Sequence, residues 1–183
     1  MGAVDSEGTV VSFIQSIFWE FGSGVICPET GVLFQNRGAG FSLSPGPNCL
    51  APGKKPFHTL NPAMAVMNDG RIVSYGTMGG EGQPQTQAAI FARYAFHGCD
   101  LQRAISAPRW LLGKTWGEDT TSLKLESSFD AKLINELREA NHQVEIVSEN
   151  NNLMGHAGSV VSHPDGRVEA ASDARSDGIA LAG

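Results

Sequence analysis

Asn68-Asp69-Gly70 stands between two apolar runs in the segment Ala63 to Tyr75, and this short pattern restricts the fold more than any other in the chain. Such a step closes a β-hairpin, because the turn needs backbone angles that glycine, asparagine and aspartate adopt readily. The second strand runs into Gly76-Thr77-Met78-Gly79-Gly80, and Pro84 then suits the first turn of a helix reaching about His97, with Gly98 as its stop. Ala88, Phe91 and Ala95 give that helix an apolar face. A hairpin, a glycine loop and a helix in this order predict a helix packed on a sheet, with the loop at the helix N-terminus.

The same chemistry recurs along the chain. A final hairpin from Gly158 to Ala171 turns at Pro164-Asp165-Gly166, and an N-terminal one pairs Gly2–Val4 with Thr9–Ile17 across the cluster Asp5 to Gly8. A third apolar run, Gly31 to Gln35, precedes a stretch from Arg37 to Lys55 that is rich in glycine and proline. An irregular stretch that long is more often functional than idle. Helices are predicted from Asp100 to about Ser106 and from Asp130 to Ala140, the latter with Leu133, Ile134 and Leu137 at helical spacing, alternating with strands at 122–126 and 143–147. The mixture is α+β, on a length that suits one domain.

Composition removes several function classes. The chain has 13 basic against 19 acidic residues, a formal charge of -6, and no long run of either sign, which speaks against a nucleic-acid surface or a polybasic membrane contact. No apolar stretch is long enough to span a bilayer, and the start MGAVDSEG lacks a signal-peptide pattern. Cys27, Cys49 and Cys99 are far apart, and His97, His142 and His163 have no metal-ligand spacing. No metal or cofactor is expected, the partners are small molecules or protein, and the cytoplasm is favoured.

Seven segments carry a resemblance: VDSEGTVVSFIQS from Val4, FGSGV at 21–25, NRGAGFS at 36–42, PGKKPFHTLNP at 52–62, MGG at 78–80, APRW at 107–110 and SDARS at 172–176. In this order they resemble the small subunit of the γ-glutamyltransferase family over nearly the whole chain. NRGAGFSL, APGKKPFHTLNP, MGGEGQPQTQAA, RWLLGKTWG and MGHAG look most like its oxamate amidohydrolase branch. The resemblance implies the C-terminal half of a four-layer αββα N-terminal-nucleophile hydrolase, made as a proenzyme whose large N-terminal subunit is the partner. Its threonine nucleophile is expected three positions before Met1. Without that residue the chain alone is expected to be inactive, since the chemistry uses a hydroxyl beside its own free α-amino group.

On the same resemblance, Ser16 is the second hydroxyl that orients the nucleophile, placed at the end of the N-terminal hairpin's inner strand, and Gly79 and Gly80 supply the oxyanion hole. Substrate-binding positions are Phe18, Arg37, Gly40, His58 and Thr59. Family members with γ-glutamyl specificity bind the substrate's ammonium at the positions of Phe18, Arg37 and Gly40, and none of these side chains accepts a hydrogen bond. His58 and Thr59 replace paired serines and still donate. Anion binding therefore survives while cation binding does not, which favours a small carboxylic acid such as oxamate. His156 and Arg175 are expected to be structural supports, and Trp110 and Trp116 core or subunit-contact aromatics.

Plainer readings remain open at this level. Ser16 suits a locally bonded strand serine, the Gly79-Gly80 pair a simple turn, Arg37 a surface loop and His58 a hydrogen-bonded core histidine. The functional alternatives are a glutathione hydrolase or γ-glutamyl transferase whose ammonium site comes from the other half, a cephalosporin-type acylase, and a non-catalytic fragment with a structural or binding role.

Overall fold

The structure, a computed structural model, describes residues 1–113 and 120–183, so the expectation for Trp116 lies outside the described residues. The chain divides into two compact units, one of Met1–Ile14 with Asn61–Gly183 and the other of Gln15–Leu60. In chain order the first unit contains β1 (Gly2–Val4), β2 (Val10–Ser12), β3 (Ala63–Val66), β4 (Ile72–Thr77), α1 (Gln83–Ala95), α2 (Leu101–Ser106), β5 (Trp110–Leu112), β6 (Leu123–Glu126), α3 (Ala131–Glu139), β7 (Val144–Val147), β8 (Ala157–Ser162) and β9 (Val168–Ser172). The predicted hairpins and helices are present, and β5 is an added strand.

Strands β3, β4, β8 and β9 form one antiparallel sheet in that order. Side chains alternate across a strand, so one set of β4 residues faces each side. Val73 and Tyr75 face α1 and α2, and a core of Val73, Ile90, Tyr94, Leu101, Ala104, Ile105, Val161 and Ala171 fills that side. Ser74 and Gly76 face the β1–β2 hairpin: the Ser74 hydroxyl donates to Val11 O at 2.9 Å, and Ile14 packs over Gly76. Gly2 lies so close to Ser74 and Val160 that a Cβ there would be 3.0 Å from the Ser74 oxygen. Helices, sheet and hairpin thus make three layers of this unit. A second sheet, β5-β6-β7, pairs β5 antiparallel and β7 parallel to β6, with α3 as the crossover between the parallel strands.

Three expectations need correction. Strand β2 ends at Ser12 rather than Ile17, because it lasts only as long as β1 provides partners, the last bond being Phe13 N–H to Met1 O at 2.9 Å. The buried face of α1 is Gln83, Thr86, Gln87, Ile90 and Tyr94, while Ala88 is exposed. Phe91 is half-buried and stacks on Tyr75 at 5.1 Å between centroids. The polar part of that face serves hydrogen bonds, from Thr86 Oγ1 to Met154 O at 3.2 Å and from Gln87 Nε2 to Asn61 O at 2.9 Å, so apolar periodicity pointed to the neighbouring face. Helix α3 buries no residue fully, and Leu133 is 40% exposed.

The second unit, residues 15–60, has no α-helix and no strand longer than a single bridge. Arg37–Gly40 form a 3-10 turn, and bridges join Ile26 to Leu33 and Ser42 to Cys49. The run from Gly31 to Gln35 is therefore one bridge rather than a strand. Within this unit the buried side chains are Arg37 and Thr59, at 5% and 8% exposure, whereas Trp19, Phe21, Val25, Ile26, Phe34 and Phe57 are exposed.

Candidate active site

In the first unit, β4 delivers its end to the predicted glycine pair. Met78 N–H donates to His156 O at 3.2 Å, after which the chain turns at Gly79 (φ 130°) and Gly80 (φ 53°). Both values lie where L side chains are strained, so the loop requires glycine at these positions. Gly82 N–H closes onto Gly79 O at 2.9 Å, and the 3-10 turn Gly80–Gly82 runs straight into α1. The two glycines therefore stand at the N-terminal end of a 13-residue helix, where backbone N–H groups and the helix dipole favour negative charge. The loop is more than a simple turn.

In the second unit the structure brings Phe18, Arg37, Gly40 and Thr59 together. Both terminal guanidinium nitrogens of Arg37 lie 3.3 Å from Thr59 Oγ1, and the guanidinium carbon is 3.9 Å from the centroid of the Phe18 ring. Phe18 takes φ 80°, which orients its ring over the arginine at a cost of about 1–2 kcal/mol for a residue with a Cβ. Phe18 also stacks on Trp19 at 5.3 Å. A Cβ on Gly40 would lie 4.0 Å from Arg37 Cδ, so a larger side chain there would reach the arginine stem. The Arg37 backbone N–H is held by a very short bond to Gln35 Oε1. Arg37 is thus a buried, aromatic-stacked guanidinium and not a surface loop residue.

Two further site residues are placed differently from expectation. Ser16 is exposed and lies four positions beyond the end of β2, in a local turn where its Oγ accepts the N–H of Phe18 at 2.9 Å. His58 is exposed as well, and its Nδ1 accepts Leu60 N–H at 3.2 Å, so it is neither a core histidine nor in the Arg37 stack. His156 bonds Asn152 Oδ1 at 3.2 Å. Trp110 is 36% exposed on β5. Among the described residues no three His, Cys, Asp or Glu side chains group to hold a metal, and no helix is long and apolar enough to cross a membrane.

A buried charge network in the first unit escaped sequence reasoning. Arg109 Nη2 meets Asp173 Oδ2 at 2.6 Å, Arg175 Nη1 meets Asp173 Oδ1 at 3.0 Å, and Arg175 grips Glu126 through Nε at 2.8 Å and through a second, very short contact. These four side chains are almost wholly buried. Burial draws Arg109 down to about 10, which leaves it charged at neutral pH. Burial also opposes the Asp173 charge, but Arg109 together with the N–H groups of Ala157 and Arg175 holds that carboxyl below its ordinary range. Charged residues are usually exposed, so only the motifs APRW and SDARS marked the place. Arg175 is a structural support, as expected.

Comparison with known proteins agrees with this layout. The family described as Gamma-glutamyltranspeptidase matches residues 1–183. The oxamate amidohydrolase proenzyme of Klebsiella pneumoniae is 59% identical over 181 residues, covering 98% of this chain and 34% of that protein. The glutathione hydrolase-like YwrD proenzyme of Bacillus subtilis is 46% identical over 179 residues, covering 97% of this chain and 34% of that protein. The chain spans about a third of the length of both relatives. A solved gamma-glutamyltranspeptidase from Pseudomonas nitroreducens superposes with a TM-score of 0.81 at 22% identity, covering 99% of this chain and 97% of that one, so the two share a fold.

Proposed function

Because this chain belongs to the gamma-glutamyltranspeptidase family, we propose that it forms the catalytic-side part of an amidohydrolase acting on the amide of a small carboxylic acid, oxamate being the favoured substrate. The observation that carries this reading is the buried Arg37, with Phe18 on its face and Thr59 at its fork, in a unit that buries no apolar side chain fully. Interior space given to a guanidinium and a hydroxyl suits a carboxylate ligand. Two unit charges 4 Å apart interact by about 1 kcal/mol in water and about 4 kcal/mol near a protein surface, so the same arginine disfavours a γ-glutamyl ammonium at this place. The printed name of the Klebsiella relative points the same way.

In this reading a threonine, expected three positions before Met1, attacks the amide carbonyl through its hydroxyl. The N–H groups of Gly79 and Gly80 hold the oxyanion, ammonia leaves with the transferred proton, and water then cleaves the acyl ester to release the acid. Ser16 uses its oxygen to accept Phe18 N–H, which leaves its own O–H proton for the nucleophile. Arg37 and Thr59 hold the carboxylate, with His58 as a further donor. The rest of a proenzyme such as the relatives' supplies the large-subunit partner. Arg37→Met tests the assignment. Losing a partner of a buried charge costs about 2–5 kcal/mol, or roughly 30-fold to several thousand-fold in affinity, so KM for oxamate should rise strongly. An unchanged KM would remove Arg37 from the site.

A further inference from the structure

The peptide joining Met78 to Gly79 is gripped from three sides. Thr77 Oγ1 donates to Met78 O at 2.8 Å. Gly155 packs against the same carbonyl so tightly that a Cβ built on it would lie 2.5 Å from Met78 O and 2.5 Å from Thr77 Oγ1. The Gly155 backbone (φ 79°) is itself immobilised, since Arg109 Nη1 donates to Gly155 O at 2.8 Å and to Met154 O at 3.1 Å, while Asp173 Oδ2 accepts Ala157 N–H at 2.7 Å. Thr86 adds a bond to Met154 O from inside α1. The buried arginine network therefore ends on the residue that backs the glycine loop.

A trans peptide points its C=O and N–H in opposite directions, and every peptide bond described here is trans. Holding Met78 O therefore sets the direction of Gly79 N–H. We propose that Thr77, Gly155 and Arg109 are positioning residues that fix the plane of the Met78–Gly79 peptide and so aim an oxyanion donor, an inference that rests on the reading of Gly79 and Gly80 as that hole. None of the three needs to touch substrate. Their effect belongs to the transition state, because a misaimed N–H weakens a developing oxyanion more than a bound ground state.

The test compares Thr77→Val, which keeps the shape and loses the hydroxyl, with Thr77→Ser, which keeps the hydroxyl, in the complete gene product. Turnover of oxamate is measured beside amide hydrogen exchange in the peptide spanning residues 76–82. Loss of a whole oxyanion donor lowers kcat about 10²–10³-fold, so a misaimed one is expected to lower it about tenfold or more while KM stays within about twofold. Exchange should quicken in Thr77→Val, and Thr77→Ser should restore both readouts. Unchanged exchange in Thr77→Val overturns the clamp, and this arm decides even if oxamate is not turned over. Faster exchange with undiminished turnover also overturns the proposal, by showing that Gly79 and Gly80 are not the donors.

Discussion

Arg109→Met removes the centre of the buried network and leaves the chain around it unchanged. The lost guanidinium serves Asp173 Oδ2 at 2.6 Å, Ile105 O at 2.7 Å, Gly155 O at 2.8 Å and Met154 O at 3.1 Å. Asp173 keeps Arg175 Nη1, Arg175 N–H and Ala157 N–H, so its charge is not orphaned, but three buried carbonyls each lose a donor. Breaking a buried ion pair from one side costs about 3–5 kcal/mol. At about 2–4 °C per kcal/mol for a chain of this size, the unfolding midpoint should fall by roughly 6–20 °C. Thermal unfolding followed by circular dichroism at neutral pH measures it. Lys132→Met is the control, because Lys132 and Glu136 pair at 3.7 Å in full exposure on α3, worth a few tenths of a kcal/mol. An Arg109→Met midpoint as close to wild type as the control's would refute the reasoning.

The same network sets an acid limit. The folded-state pKa of Asp173 lies below its ordinary 3.8, so the stability it contributes is fully present above about pH 4 and is lost as pH falls through the lower folded value. Asp173→Asn should be less stable at neutral pH and flatten that acid decline, as read by midpoints between pH 2 and 7. An acid decline as steep as wild type's would show that another group controls it. Phe18→Gly relaxes the φ 80° backbone and removes the ring over Arg37. It should leave the unfolding midpoint unchanged or higher while raising KM for oxamate about fivefold or more, since a desolvated cation–π contact is worth about 1–2 kcal/mol. An unchanged KM would show that the ring serves the fold alone.

What could be read without coordinates was what is local. Asn68-Asp69-Gly70 and Pro164-Asp165-Gly166 announce hairpins because a tight turn demands those residues, and Asp100 and Asp130 cap α2 and α3 where the patterns began. The end of β2 was not legible, because it depends on the length of β1 rather than on its own apolar residues, and Ser16 moved out of the strand with it. The face of α1 was misjudged because its buried end is polar and bonded to loops distant in sequence. At the site, the motifs located Phe18, Arg37 and Thr59, but not that Arg37 would be buried beneath a ring held at positive φ. The Arg109–Asp173–Arg175–Glu126 network joins residues up to 66 positions apart in sequence, beyond any local pattern. Gly155 was visible only as part of MGHAG, since its importance comes from the 2.5 Å that a Cβ would leave to Met78 O.

The central claim is that a buried Arg37 selects a small carboxylate amide over a γ-glutamyl group. Ammonia release from oxamate, set beside amine release from a γ-glutamyl anilide by the complete gene product, tests it most directly. The account predicts kcat/KM for oxamate at least about tenfold higher, as expected if one misplaced charge costs 1.4 kcal/mol or more. A preference for the γ-glutamyl compound would contradict the role given to Arg37 and leave the family membership intact.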